Sequence, residues 1–177
     1  QSPVYCNQVT IKLTSERDEG MYDALAKGFK QADGDIVAYL NADDFYQPQA
    51  FSLITELFDQ LPRMNWLTGI PTFYNPQGVI IQSIWPVIYD NRLIRQGIYN
   101  NRALPYIQQE SVFFRNELLR TLDFDRLKQF RYAGDAYLWH SFSKKFPLFI
   151  ISAVISGHRM HTANLSRISH HHYRQEM

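Results

Sequence analysis

The sequence predicts an α/β fold in which a mixed sheet is flanked by helices. Three observations lead there. Apolar residues recur at helical spacing in two stretches, short apolar runs of strand length stand between and after them, and the two patterns alternate through the first third of the chain. With 177 residues, 45% of them hydrophobic, there is enough apolar material for one core. No internal repeat or low-complexity linker divides the sequence, so residues 1–177 read as one domain ending in a tail at 167–177.

Residues 9–13 alternate apolar with polar side chains and read as a short strand. The polar run 15–20 then leads into a helix on which Met21, Leu25, Phe29 and Ala32 share a face, with Gly34 as its stop. Residues 35–40 form a compact apolar run, the pattern of a strand buried on both faces, and end abruptly in Asn41-Ala42-Asp43-Asp44. Pro48 opens a second helix with Phe51, Ile54, Phe58 and Leu61 on its inner face, and Pro62 closes it. Two β-like runs, near 66–73 and 79–85, flank the hairpin-type turn Asn75-Pro76-Gln77-Gly78. Residues 86–106 read as a short helix plus loop, 112–114 as a strand and 116–122 as a short helix. Residues 134–146 read as a helix with Leu138 and Phe142 inward, and 148–155 as the last strand. From Ser156 onward the chain is rich in His and Arg and reads as loop. The early alternation implies a parallel arrangement in the first third, extended by an α+β part.

Composition excludes several function classes. The formal charge is +1, with Lys144-Lys145 the densest basic cluster, which argues against a nucleic-acid binder. Cys6 stands alone, so neither a disulfide framework nor a Cys-based zinc site is expected, and a reducing, cytoplasmic setting fits. No stretch has the length of a membrane span, and the first residues lack the pattern of a signal peptide. Aromatic residues reach 15%, which suits binding of ring-shaped polar ligands as well as core filling. Tyr5, Trp85, Tyr89, Tyr99 and Tyr106 could include a sugar-stacking platform, although core packing is the expectation for any single member.

The strongest chemical signal is the pair Asp43 and Asp44 at the end of an apolar strand. In open α/β sheets, ligands bind beyond the carboxyl ends of strands. Adjacent carboxylates repel unless a cation sits beside them, and hard oxygen ligands suit Mg²⁺ or Mn²⁺, which can bridge a diphosphate. The competing reading makes one Asp the N-cap of the helix at Pro48. Asp135, at a predicted helix start, is either a general base or a cap, and the helix dipole there should lower its pKa. Arg17 and Asp18 precede a helix whose N-terminus could hold phosphate. His170-His171-His172 reads as a metal tract or, more simply, a solvated tail.

The run Ser15-Glu16-Arg17-Asp18-Glu19-Gly20-Met21-Tyr22-Asp23-Ala24, then Lys27-Gly28, Gly34-Asp35-Ile36-Val37 and Leu40-Asn41-Ala42-Asp43-Asp44, resembles family 2 glycosyltransferases. Their pattern reads S-E-P-D-x-G-I-Y-D-A-x-x-K-G, G-D-I, L-N-S-D-D. Further segments agree: Gln108-Gln109-Glu110-Ser111 with Phe113-Phe114-Arg115, Ala133-Gly134-Asp135 with Leu138-Trp139, and Arg159-x-His161 with Asn164 and Ser166. The resemblance implies a GT-A-like, Rossmann-related fold and transfer, with inversion, of a sugar from a nucleotide-sugar donor to a saccharide or lipid-linked acceptor. It implies Asp135 as general base and Asp44 as direct ligand of Mn²⁺ or Mg²⁺, with Asp43 on the metal or the donor ribose. His161 would be a third metal ligand, a role as open as that of a plain loop histidine. Asp18, Lys27, Asp43 and Arg159 would contact the donor, while Gln109 and Glu110 would contact the acceptor or donor sugar. Polysaccharide or envelope synthesis, peripheral association with the inner face of a membrane and homo-oligomerisation belong to the same set of expectations.

The sequence also departs from that pattern. Glu19 stands where the family often carries Lys, so a phosphate contact is not expected there. Nothing before residue 9 resembles the family's first strands, which supply much of the nucleotide pocket. Residues 35–40 should therefore lie at a sheet edge, and this chain alone should turn over poorly. Two other functions share these features: a non-catalytic nucleotide- or carbohydrate-binding module of the same fold, and a metal-dependent nucleotidyltransferase, the latter weakened by the lack of a Gly-rich phosphate loop.

Overall fold

The computed structural model describes residues 10–86, 88–100, 104–162, 164 and 170–176. Among these residues eight short strands form two four-stranded sheets. The first has the order β1-β6-β3-β7 and comprises β1 (Ile36–Val37), β3 (Trp66–Thr68), β6 (Val112–Arg115) and β7 (Phe149–Ile150). The second has the order β2-β8-β4-β5, from β2 (Phe45–Tyr46), β4 (Thr72–Tyr74), β5 (Ile80–Ser83) and β8 (Ser156–Arg159). Among the described residues six α-helices accompany them: α1 (Met21–Gln31), α2 (Ala50–Gln60), α3 (Asn91–Arg95), α4 (Phe124–Leu127), α5 (Gly134–Ser143) and α6 (His170–Glu176).

The central strands explain why the first sheet forms. On β3, Trp66 packs into a cluster with Trp139 and Phe142 of α5, while Leu67 faces Ile54 and Phe58 of α2. On β6, Val112 and Phe114 join the first cluster and Phe113 the second. Apolar side chains on both faces make these strands the middle of three layers. Their alternation also fixes the register, since a slip of one residue would exchange the two faces.

The expected mixed sheet is present, but its parallel portion is interrupted. Both β1 and β3 pair antiparallel with β6, which lies between them, and β3 pairs parallel with β7. The strand at 35–40 shrinks to Ile36–Val37 because the backbone beyond finds side-chain partners: the Tyr39 carbonyl accepts from the Tyr46 hydroxyl and the Gln109 amide. Among the described residues it is an edge strand of the first sheet. The strand at 9–13 is not formed in its described part. Residues 10–13 have no ladder partner, and Ile11 and Leu13 are 85% and 92% exposed. Side-chain contacts alone, Lys12 to Asp33 at 2.7 Å and Thr14 to Gln31 at 3.2 Å, tie this stretch to the end of α1.

The inner face of α2 consists of Ala50, Ile54 and Phe58, whereas Phe51 and Leu61 are exposed. The helix begins two residues after Pro48, and the buried stripe runs through Ala50 rather than Phe51. The run 148–155 holds only the two-residue strand β7, and β8 begins just past it at Ser156. Between them the chain crosses from the first sheet to the second, alongside the matching crossover at Gly69-Ile70-Pro71. The two crossovers are joined by Ile70 N–H to Ala153 O (2.8 Å) and Ile151 N–H to Thr68 O (3.0 Å). A side chain at Gly69 would meet the Ala153 carbonyl at 2.7 Å, so close approach requires glycine there. Strand β5 closes the second sheet as an edge with every residue exposed. The C-terminal stretch read as loop contains β8 and, at its end, α6.

Candidate functional site

Four segments converge at one end of the first sheet. They are the loop 41–44 after β1, the 3-10 turn Gln109–Ser111 before the antiparallel β6, the C-terminal end of β8 and the N-terminus of α5. The antiparallel β1–β6 register brings the end of one strand beside the start of the other, which places Asn41 next to Gln109. There the Asn41 amide donates to the Gln109 side-chain oxygen and to Asp44 Oδ2, both at 3.1 Å.

Asp44 has a fully buried side chain. Its Oδ1 accepts from the Arg159 backbone N–H at 3.0 Å and lies 3.1 Å from His158 Nδ1. It caps no helix: the N-cap of α2 is Gln49, with no side-chain cap bond. Asp44, Glu110 and His158 each offer one ligand atom, all within 4.8 Å of one another. Burial, with the neighbouring Asp44 charge, pushes the Glu110 carboxyl up to about 7, although His158 opposes this. Burial alone would lower His158, but the Asp44 contact and the charges of Glu110, Asp44 and Asp43 outweigh it and raise its pKa. His158 thus sits in contact with Asp44 and in the field of Glu110, and the three residues form a group that could hold a metal ion.

Asp43 lies beside this triad rather than in it. Its Oδ2 is 2.7 Å from His161 Nε2 and accepts from the Asn164 amide at 3.1 Å. Burial raises its pKa, but the His161 contact and its own backbone N–H bring it below the usual carboxylate range. The expected set Asp43, Asp44 and His161 is therefore divided between two neighbouring clusters, and His158 enters as the partner of Asp44. Sequence reasoning missed His158 because it read the stretch from Ser156 onward as loop. In strand β8, His158 and Arg159 are adjacent and point to opposite faces. The Arg159 guanidinium lies 5.5 Å from the Phe45 ring centre, and its Nε is buried without a partner among the described residues. Gly157 keeps β8 tight against β2, since a Cβ there would lie 2.5 Å from Phe45 Cζ and 2.6 Å from Tyr74 Cε2.

Asp135 stands at the second position of α5, whose N-cap residue Ala133 makes no side-chain cap bond. Its carboxylate accepts the Ala136 N–H at 2.7 Å and lies among the hydroxyls of Tyr173 and Tyr22. Burial dominates and pushes Asp135 up to about 6, against these hydrogen bonds. The expected lowering by the helix dipole is overridden, which suits a base working near neutrality. Its charge is felt at Glu110, so the two carboxyls belong to one field. In the same field the Tyr39 hydroxyl is buried and unpaired among the described residues.

Asp18 and Lys27 lie apart from these clusters at the start of α1. Asp18 Oδ1 accepts the Gly20 N–H at 3.0 Å, and Lys27 donates to the Arg17 carbonyl at 2.8 Å and to Asp23 at 3.1 Å. Of the aromatic stripe, Tyr89 and Tyr99 are core residues, Trp85 is 71% exposed, and Tyr5 lies outside the described residues, as does Ser166. His171 and His172 are exposed on α6, and His172 stacks on Tyr132. Sequence reasoning also missed Tyr173 and Glu176. Glu176 accepts the backbone N–H groups of Arg131, Tyr132 and Ala133, the only signal for which is the tertiary fold itself.

A mixed α/β fold that gathers buried carboxylates where its strands end has the architecture of a GT-A glycosyltransferase. The chain belongs to glycosyl transferase family 2, which it matches over residues 4–122. In structure it is similar to S. aureus TarS 1–349, with 16% identity and a TM-score of 0.58 over 80% of this chain and 40% of that one. It is also similar to TarS 1–349 in complex with UDP-GlcNAc, with 14% identity and a TM-score of 0.59 over 88% of this chain and 43% of that one. The chain thus spans about two-fifths of the length of those structures. No curated protein sequence matches it significantly. No helix among the described residues is long and apolar enough to cross a membrane.

Proposed function

We propose that the protein transfers a sugar from a nucleotide-sugar donor to a hydroxyl of a saccharide or lipid-linked acceptor, with inversion at the anomeric carbon. The observation that carries this reading is the placement of Asp135, a buried carboxyl with a pKa near 6, in one electrostatic field with the Asp44–Glu110–His158 triad. Family membership supports the chemistry, and the TarS complex with UDP-GlcNAc supports a nucleotide-sugar donor.

The triad fits a divalent cation: two carboxylate oxygens and an imidazole nitrogen, two of the three residues buried, converge within 4.8 Å of one another. Mn²⁺ suits a mixed oxygen and nitrogen set better than Mg²⁺. Asp44, Glu110 and His158 would hold it, with Asp43 and His161 alongside toward the donor. When bound, such a cation offsets negative charge on a diphosphate.

The protein's own residues account for the rest. Asp135 accepts the proton of the acceptor hydroxyl as that oxygen bonds to the anomeric carbon. The bond from that carbon to the diphosphate breaks, its electron pair leaves with the diphosphate, and configuration inverts. Arg159 contributes its backbone N–H, which holds Asp44, while its guanidinium lies over Phe45 on the other face of β8. The Tyr39 hydroxyl has a free hydrogen-bonding valence for a sugar hydroxyl between Glu110 and Asp135. Gln109 is held by Asn41 and the Tyr39 carbonyl, and so sets the loop that carries Glu110.

Calorimetric titration of UDP with and without Mn²⁺, on wild type and Asp44→Ala, tests this reading. Metal-dependent binding lost in the variant is expected. Binding that ignores both metal and variant would instead identify a non-catalytic module.

A further inference from the structure

Helix α6 makes contacts that sugar transfer does not require. Its Glu176 carboxylate is held by three consecutive backbone N–H groups, those of Arg131 (3.1 and 3.2 Å), Tyr132 (2.8 Å) and Ala133 (2.9 Å). Its Tyr173 hydroxyl hydrogen-bonds the Asp135 carboxylate, and the Tyr173 ring meets Tyr106 edge-on at 5.2 Å. His172 stacks on Tyr132 at 5.4 Å.

A helix N-terminus usually takes its cap from the residue that starts it, and one oxygen suffices. Here the carboxylate comes from a remote helix, together with a hydroxyl that lands on the candidate base. Tyr173 stands to Asp135 as an acceptor must, with an O–H on the carboxylate that would take its proton. Independent observations mark the surroundings as a place for a polar ligand. Among the described residues the Tyr39 hydroxyl, buried in the field of Asp135, has no partner. Trp139, 4% exposed and with its Nε1 likewise unpaired, lines a small cavity with Ala136 and Tyr173.

We propose that α6 is an internal stand-in for the acceptor, and that the place it fills takes a molecule presenting a hydroxyl where Tyr173 stands and an acidic group where Glu176 stands. The acidic group is a carboxylate or a phosphate, about one helical turn from the reacting hydroxyl. The acceptor binds by displacing the helix, so the same contacts hold the base covered until an acidic acceptor arrives. This rests on the reading of Asp135 as the base.

The test uses the full chain labelled with ¹⁵N and titrated with inorganic phosphate, and in parallel with acetate. The amide resonances of Arg131, Tyr132 and Ala133 and those of residues 170–176 are followed together. In wild type, saturable shifts of the three amides should accompany departure of α6 from its helical resonances. Glu176→Gln removes the competing charge, so half-saturation should fall at least about tenfold in anion concentration. Glu176→Asp, one methylene short, should lie between and serves if the Gln variant does not fold. The anion that half-saturates lower identifies a phosphate- or carboxylate-bearing acceptor.

Equal or non-saturating shifts in wild type and variants would mean an adventitious ion only and overturn the proposal. So would shifts of the three amides while α6 stays docked. Mn²⁺ titration of Asp44→Ala separates this from the transfer reading. Lost metal binding together with failed anion competition discards the acceptor site and keeps the transferase. The reverse pattern supports the anion site while removing the donor side.

Discussion

Replacing Gly134 by alanine isolates the contact that aims the candidate base. Gly134 is buried at the first position of α5, and a Cβ there would lie 2.4, 2.5 and 2.6 Å from Cδ1, Cε1 and Cγ of Tyr22. Ordinary contact needs 3.4–4 Å, so the ring must retreat by about 1 Å. Tyr22 is 2% exposed and packed in the main core, and such overpacking costs about 1–3 kcal/mol. Its hydroxyl donates to the Tyr132 carbonyl at 3.1 Å and accepts the Asp135 N–H at 3.3 Å, and losing these adds about 0.5–1.5 kcal/mol each. The greater helix propensity of alanine returns at most about 1 kcal/mol. The expected net loss is about 1–6 kcal/mol, read from urea denaturation followed by circular dichroism. In a Tyr22→Ala background the space is open, so the same substitution should become nearly neutral, a coupling that a double-mutant cycle measures. Wild-type stability for Gly134→Ala, or an equal loss in both backgrounds, would refute the steric argument.

Other expectations follow from the site. Asp135→Asn should reduce transfer by about 10²–10⁴-fold while leaving UDP affinity unchanged, and persistence of transfer would place the base elsewhere. Because Asp135 must be ionised to act, the wild-type rate should rise with pH through about 6. Stability should move the other way. Folded-state pKa values of about 7 for Glu110 and about 6 for Asp135 lie above their ordinary values, and that of His158 is raised as well. Each contributes stability that is complete below its ordinary pKa and lost as pH rises through its folded value. Denaturation midpoints should therefore fall between pH 4 and 8, by an amount on the order of a few kcal/mol at most. Mn²⁺ should oppose that fall at pH 8 in wild type but not in Asp44→Ala, which thermal unfolding with and without the metal will read.

Much of this site can be traced to local sequence. The Asn41-Ala42-Asp43-Asp44 run and the helix at Asp135 emerge from apolar periodicity that stops at a carboxylate, and the fold places both at strand and helix ends. What periodicity cannot convey is pairing. Asp43 and Asp44 are adjacent in sequence, yet one turns to His161 and Asn164 and the other to His158 and Glu110. The run 35–40 looks like a full strand, but side-chain partners from Tyr46 and Gln109 take over the Tyr39 carbonyl. Residues 10–13 alternate like a strand but pair with no strand among the described residues. Helix α6 was illegible because its register on the molecule is set by Glu176 and Tyr173, which reach backbone and side-chain groups more than thirty residues earlier.

The outer rim of the second sheet bears on how the protein behaves in a test tube. Along β5 the main chain offers free amides and carbonyls on its open side, flanked by Val79, Ile80 and Ile81, each more than half exposed, without a lysine or proline inside the strand to blunt them. Any extended peptide can zip onto such a border, so concentrated solutions should cloud by edge pairing. A single Gln82→Lys, on an exposed position of a strand that β4 separates from β8, should keep them clear without touching the candidate site.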